Sequence, residues 1–252
     1  MADTMFLETD FKERAATDIE IRFWPALLLS LITFGIYSYW VIWRLVSRRD
    51  RHFRRIARLA EDAGVYLRDR GADERVEVEA VLTRLKLVER STRLYAYERG
   101  ATLWTLLVFL AGIALWVLWY VLMEDFRKHE EDEETIVSAV SHGLGLLGQE
   151  VNLTYERQIP ARSFWQFMIL TLITFGIYGI YWLYCMIEDG NRHFRAQAEW
   201  EAQLAAAIAA AVPTAASTGP AAATPGPTGP AAPTGGPTDA PTDAPAEGET
   251  IG

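Results

Sequence analysis

The amino-acid sequence predicts an all-α fold. It reads as a polytopic membrane protein with three transmembrane helices, helices 1 and 3 an internal duplication, plus amphipathic juxtamembrane helices. Three observations predict this. Apolar residues gather into three runs without a single charge, Phe23–Trp43, Ala101–Met123 and Ser163–Ile187, of 21, 23 and 25 residues. A hydrocarbon core of about 30 Å needs about 20 helical residues, so each run has the length to cross. Parts of the first run recur in the third at a constant offset of 141 positions. The segments between the runs carry apolar residues at helical spacing.

The elements follow in order. Residues 1–22 form a polar segment with Asp3, Glu8 and Asp10. A secretory signal would need a basic stretch there, so the first run is expected to stay in the mature protein. Residues 23–46 are transmembrane helix 1. Residues 47–100 form an Arg-rich helical region in which Phe53, Ile56 and Leu59 share one face. Gly71 interrupts it, and a second helix starts near Asp73 with the stripe Val78, Val81, Leu82, Leu85, Val88 and Tyr95. Residues 101–123 are transmembrane helix 2.

Residues 124–162 form an acidic loop. It holds the stretch Glu124–Glu134 and a short helix bearing Ile136, Val137, Val140, Leu144 and Leu147, with Gly148 as its stop. Val151–Arg157 has the look of an extended segment. Residues 163–187 are transmembrane helix 3, and residues 188–211 a helix. From 212 to 252 the composition is Ala, Pro, Thr and Gly, without enough apolar surface to offset the entropy of ordering, so a disordered tail is expected.

The duplication is the strongest signal in the chain. Phe23-Trp24 returns as Phe164-Trp165, Leu31–Tyr37 as Leu172–Tyr178, and Arg51-His52-Phe53 as Arg192-His193-Phe194; 13 of 31 aligned positions are identical. A fainter third copy sets Glu124–His129 against Glu188–His193. The pattern Leu170–Tyr184 followed by Glu188–Phe194 resembles a domain of unknown function found in small prokaryotic integral membrane proteins. The resemblance covers residues 160–200 and, more weakly, 23–53, and it brings no catalytic residues. It implies a polytopic membrane protein. The first copy departs from it at Arg48-Arg49-Asp50.

Basic residues predict orientation. Residues 45–100 hold 14 Lys and Arg, against three in the N-terminal segment, four in 124–162 and two beyond 187. The expected protein therefore lies in the cytoplasmic membrane as a multi-pass chain, N-terminus outside, 45–100 and the C-terminus cytoplasmic. His129 then falls on the opposite side from His52 and His193.

Composition excludes several functions. One cysteine, Cys185, rules out an intramolecular disulfide framework. The net charge of −9 argues against nucleic-acid binding. No phosphate loop, nucleophile elbow or zinc-binding pair is present. No charged residue or histidine interrupts the apolar runs, as a coupled transporter would need.

The expectation is a non-enzymatic scaffold or envelope accessory without cofactor, catalytic site or metal. Thr33, Gly35, Tyr37, Thr174, Gly176 and Tyr178 are candidates for a helix-packing seam or, in an oligomeric channel or transporter subunit, a pore lining. Arg48, Arg49, Arg51, Arg54, Arg55 and Arg58 are candidate contacts for anionic headgroups. Membrane lipids, a second copy or another membrane protein are the expected partners.

Overall fold

The computed structural model describes residues 2–72, 76–95, 99–149, 151 and 153–211. The expected 212–252 tail lies outside the described residues. Eight α-helices are found among them: α1 (Ala2–Thr17), α2 (Phe23–Ile32), α3 (Ile36–Leu67), α4 (Val76–Tyr95), α5 (Ala101–Leu110), α6 (Ala114–Leu146), α7 (Phe164–Ile173) and α8 (Ile177–Ala211). A single π-helical turn, Arg68–Ala72, follows α3 where Gly71 marks a break.

The fold is all-helical, but the transmembrane reading is overturned. Among the described residues, no helix is long and apolar enough to cross a membrane. Each apolar run breaks in its middle and folds back as a helical hairpin: α2 with α3, α5 with α6, α7 with α8. Transmembrane helices 1, 2 and 3 are therefore not single helices. The short arms have 10 residues each, about 15 Å at the α-helical rise.

The break has a local chemical cause. Thr33 Oγ1 donates to the Leu29 carbonyl at 2.7 Å and accepts from Tyr37 N–H at 2.9 Å. One hydroxyl thus closes one helix and caps the next. Gly35 takes φ +88°, and its N–H reaches the Ser30 carbonyl at 2.7 Å. Positive φ favours glycine, which has no Cβ to clash. The third run repeats this arrangement with Thr174, Tyr178 and Gly176 at φ +92°. Run length alone did not reveal that the Thr-Phe-Gly sequence stops a helix.

Beyond the hairpins, the long arms continue as amphipathic helices. The stripe Val78, Val81, Leu82, Leu85 and Val88 of α4 is buried, packed on α3 residues Ile56, Leu59, Ala60 and Ala63. This matches the sequence reading of that helix; its Tyr95 side chain lies outside the described ones. The acidic stretch is no loop: α6 runs through it without a break to Leu146, with Arg127 paired to Glu124 and Glu131 on its surface, both at 2.6 Å. Gly148, at φ +81°, ends it as expected. No strand occurs among the described residues, Val151–Arg157 included.

The helices enclose two apolar cores. One lies inside the hairpins, built on Val41, Leu118, Trp119, Phe167, Trp182 and Ile187. The other lies among α1, α3, α4, α6 and α8. Between them sits a buried polar layer that includes Arg48, Arg49, His52, His129, Glu133 and His193.

Candidate functional site

The polar layer is built by the repeat. Each long helix carries a histidine 17 residues beyond the glycine of its hairpin tip: His52 after Gly35, His129 after Gly112, His193 after Gly176. Equal spacing along three similarly packed helices brings the three rings to one level. All three are buried, and Glu133 joins them one turn beyond His129. The expectation that His129 lies across a membrane from the other two is therefore corrected, because no run crosses and all three hairpins root on the same side.

The Nε2 atom of His52 lies 3.1 Å from that of His193 and 3.1 Å from that of His129. Glu133 Oε1 is 3.2 Å from His129 Nε2 and 3.8 Å from His52 Nε2, and its Oε2 is 3.6 Å from His193 Nε2. Phe53 stacks on the His129 ring at 3.9 Å, and Phe194 lies 4.7 Å from that of His52. Among the described residues, these four form the group whose donor atoms could share a metal ion.

A second set of groups orients the first. His52 Nδ1 faces Asp18 Oδ1 at 2.8 Å, and Asp18 is itself held by Arg55 at 2.7 Å. His193 Nδ1 faces Glu130 Oε1 at 3.3 Å. Tyr155 Oη donates to Glu133 Oε2 at 3.1 Å. Burial pushes His52 down to about 4, against the pull of Asp18, and lowers His129 as well. Burial would lower His193 too, but Glu133 and Glu130 outweigh it and raise that ring. Burial would raise Glu133, yet the three imidazoles hold it at about 2.

Around the centre, each hairpin secures the root of another. Asp50 on α3 accepts from the backbone N–H of Arg99 and Gly100, where α5 begins, at 3.2 and 3.1 Å. Glu130 on α6 accepts from Gln158 and Ile159 N–H, before α7, at 2.9 and 3.1 Å. Asn191 on α8 exchanges two hydrogen bonds with the backbone of Ile21, before α2, at 2.9 and 3.2 Å. Within hairpins two and three an arginine at the root pairs with an aspartate of the long arm, Arg99 with Asp125 and Arg162 with Asp189.

The predicted site residues fall elsewhere. Thr33, Gly35, Tyr37, Thr174, Gly176 and Tyr178 form the turns and first helical residues of two hairpin tips. The hydroxyls of Thr33 and Thr174 are engaged by backbone there. Of the arginines assigned to headgroups, Arg48, Arg49 and Arg55 are fully buried. Arg48 donates to Asn191, Arg49 pairs with Asp50 and Asp125, and Arg55 with Asp18 and Glu201. These three cannot touch lipid. Arg51 donates to the Ala16 carbonyl, Arg58 pairs with Glu13, and Arg54 is exposed.

Residues 162–216 match the model of a family described as a domain of unknown function, DUF4234. The match takes in α7 and α8, one hairpin of the three, where the sequence resemblance also lies. No curated protein and no solved structure matches the chain.

Proposed function

We propose that the chain is a non-enzymatic scaffold seated on a membrane surface, its three hairpins dipping into one leaflet. One observation carries this reading. The hairpin tips expose large apolar side chains: Phe34 is 97% exposed, Phe175 98% and Ile113 73%. Soluble surfaces rarely gather apolar residues on this scale, and a contiguous patch marks a partner or a membrane.

Four features favour lipid as the partner. Arms of about 15 Å match half of a hydrocarbon core of about 30 Å. The tip backbones of the first and third hairpins satisfy their own hydrogen bonds, as groups placed in lipid must. The tips cluster, since Leu31 and Phe34 of the first hairpin share a groove with Trp116 of the second and Ile180 of the third. Exposed Trp24, Trp40, Tyr120, Trp165 and Tyr184 stand along the arms, where amphipathic rings suit an interface. Arg22 and Arg44, outside the apolar runs, replace the buried arginines as candidates for headgroup contact. The scaffold reading is preferred to a channel subunit because the threonine hydroxyls that would line a pore serve the turns.

Labelling tests it. In a Cys185→Ser background, single cysteines at Glu8, Arg54 and Glu131 are exposed to a membrane-impermeant thiol reagent in sealed vesicles. The expected result is flotation with the vesicles and labelling of all three positions from one face. Labelling from opposite faces, or failure to float, would sink the reading.

A further inference from the structure

We propose that His52, His129, His193 and Glu133 bind one divalent transition-metal ion, zinc by donor chemistry, as a closed structural centre that ties the three hairpins together. The proposal does not depend on a membrane.

Asp18, held by Arg55 and Thr17, is an ionised carboxylate and can only accept. His52 Nδ1, at 2.8 Å from it, therefore carries a hydrogen. Glu130 fixes the same tautomer in His193. In a neutral ring the other nitrogen then holds a lone pair. With both rings neutral, two Nε2 lone pairs would face each other at 3.1 Å, and the His129 nitrogen lies equally close to that of His52. Such a set repels itself unless a cation lies among the donors. Carboxylate behind imidazole is also how proteins orient histidine ligands.

Glu133 supplies an independent observation. Its Oε1 is buried, stands 3.2 Å from His129 Nε2 and 3.8 Å from His52 Nε2, and has no well-aligned hydrogen-bond donor. A proton shared between two nitrogens would leave that oxygen unpartnered. A metal ion at the common centre uses it.

The dimensions agree. Zinc–nitrogen bonds of about 2.0–2.1 Å in a tetrahedron separate ligand atoms by about 3.3–3.4 Å. The closest separations run from 3.1 to 3.8 Å, counting either oxygen of Glu133, and all four ligand atoms lie within 4.8 Å of one another, a set that small shifts would close to a tetrahedron. Three imidazoles and one carboxylate favour zinc and its late first-row neighbours over calcium or magnesium. Four protein ligands leave no open position, as in structural zinc sites. The ligands come from helices up to 141 residues apart, so the ion would cross-link the fold.

Cobalt(II) tests this on the full chain. Metal is removed by chelator, Co(II) is titrated in, and zinc is then added. The expected result is one equivalent of intense tetrahedral ligand-field absorption, displaced by one equivalent of zinc, with a zinc-dependent rise in Tm. His193→Gln and Glu133→Gln should each weaken binding by about 100-fold or more, whereas His142→Ala, outside the cluster, should leave it unchanged. A folded wild-type chain that takes up no Co(II) would show that the histidines share protons only, and would overturn the proposal. So would an octahedral spectrum, or one abolished by His142→Ala. The wild-type titration decides even if a variant fails to fold.

Discussion

Arg48 and Gly190 interlock across the interface between α3 and α8: a Cβ added to Gly190 would stand 2.5 Å from Arg48 Nη2. The guanidinium cannot retreat easily, because it donates to Asn191 Oδ1 at 2.9 Å and to the Met186 and Ile187 carbonyls at 3.0 and 3.2 Å. The two duplicated helices have thus diverged into socket and plug. Gly190→Ala is expected to destabilise the fold by about 1–3 kcal/mol through overpacking. Denaturant midpoints for wild type and variant check it, and equal midpoints would show that Arg48 can be displaced at little cost.

Asp50 is expected to be the most sensitive of the residues at the hairpin roots. It neutralises buried Arg49 and holds two backbone N–H groups at the start of α5. Asp50→Ala removes one counter-charge from buried Arg49 and leaves two backbone donors unmet, a loss of about 3 kcal/mol or more. Asp50→Asn keeps an acceptor and should recover part of it. Thermal unfolding of the pair measures the difference.

The tips are expected to separate vesicle binding from stability. Phe34 and Phe175 touch almost nothing in the fold, so Phe34→Asp with Phe175→Asp should leave Tm within about 2 °C. Withdrawing a phenyl ring from lipid costs about 1.5–3 kcal/mol, roughly tenfold or more per tip in partitioning. Co-sedimentation with vesicles reads this directly, and unchanged partitioning would remove the tips from the membrane.

Asp10 sets a pH dependence. Burial lifts its carboxyl to about 7, with Arg58 opposing and Asp62 adding to the rise. The folded chain then holds a proton that the unfolded chain has released above about pH 4. Stability contributed by this group is present at low pH and falls as pH rises from about 4 to 7. Asp10→Asn should flatten that slope and gain roughly 1–3 kcal/mol at pH 8 relative to wild type. Urea midpoints across the range decide it; parallel curves for the two proteins would contradict the assignment.

Much of the helical content was legible from residue spacing. The α4 stripe, the α3 face carrying Phe53, Ile56 and Leu59, and the stop at Gly148 all follow from periodicity and terminators. The duplication, too, is plain in the rows. What the apolar runs concealed was their turn. Hydrophobicity measures length along the chain, and Thr33 and Gly35 act through hydrogen bonding and φ, which it ignores.

The site was lost with the turn. Once each run is taken to cross, His129 is sent away from its partners and the buried arginines become surface charges. The signal was still present: three histidines, each 17 residues past a run-centre glycine. Glu133 had a weaker one, its place one turn after His129 on a helix whose acidic neighbours look like a solvated face.

The ring in which each hairpin holds the root of another bears on what a domain means here. Residues 162–216, the part matched by a family model, supply Asn191 and His193 but not Ile21, Arg48, His52 and Glu130, which those side chains meet. Cut out alone, that segment would set a histidine, an asparagine and the tryptophan Trp200 in water, all of them buried in the intact chain. The unit that was copied is therefore smaller than the unit that can stand by itself. Two of the copies can drift only as far as the third continues to answer them, so substitutions at Asp50, Glu130 and Asn191 should be inherited as a set.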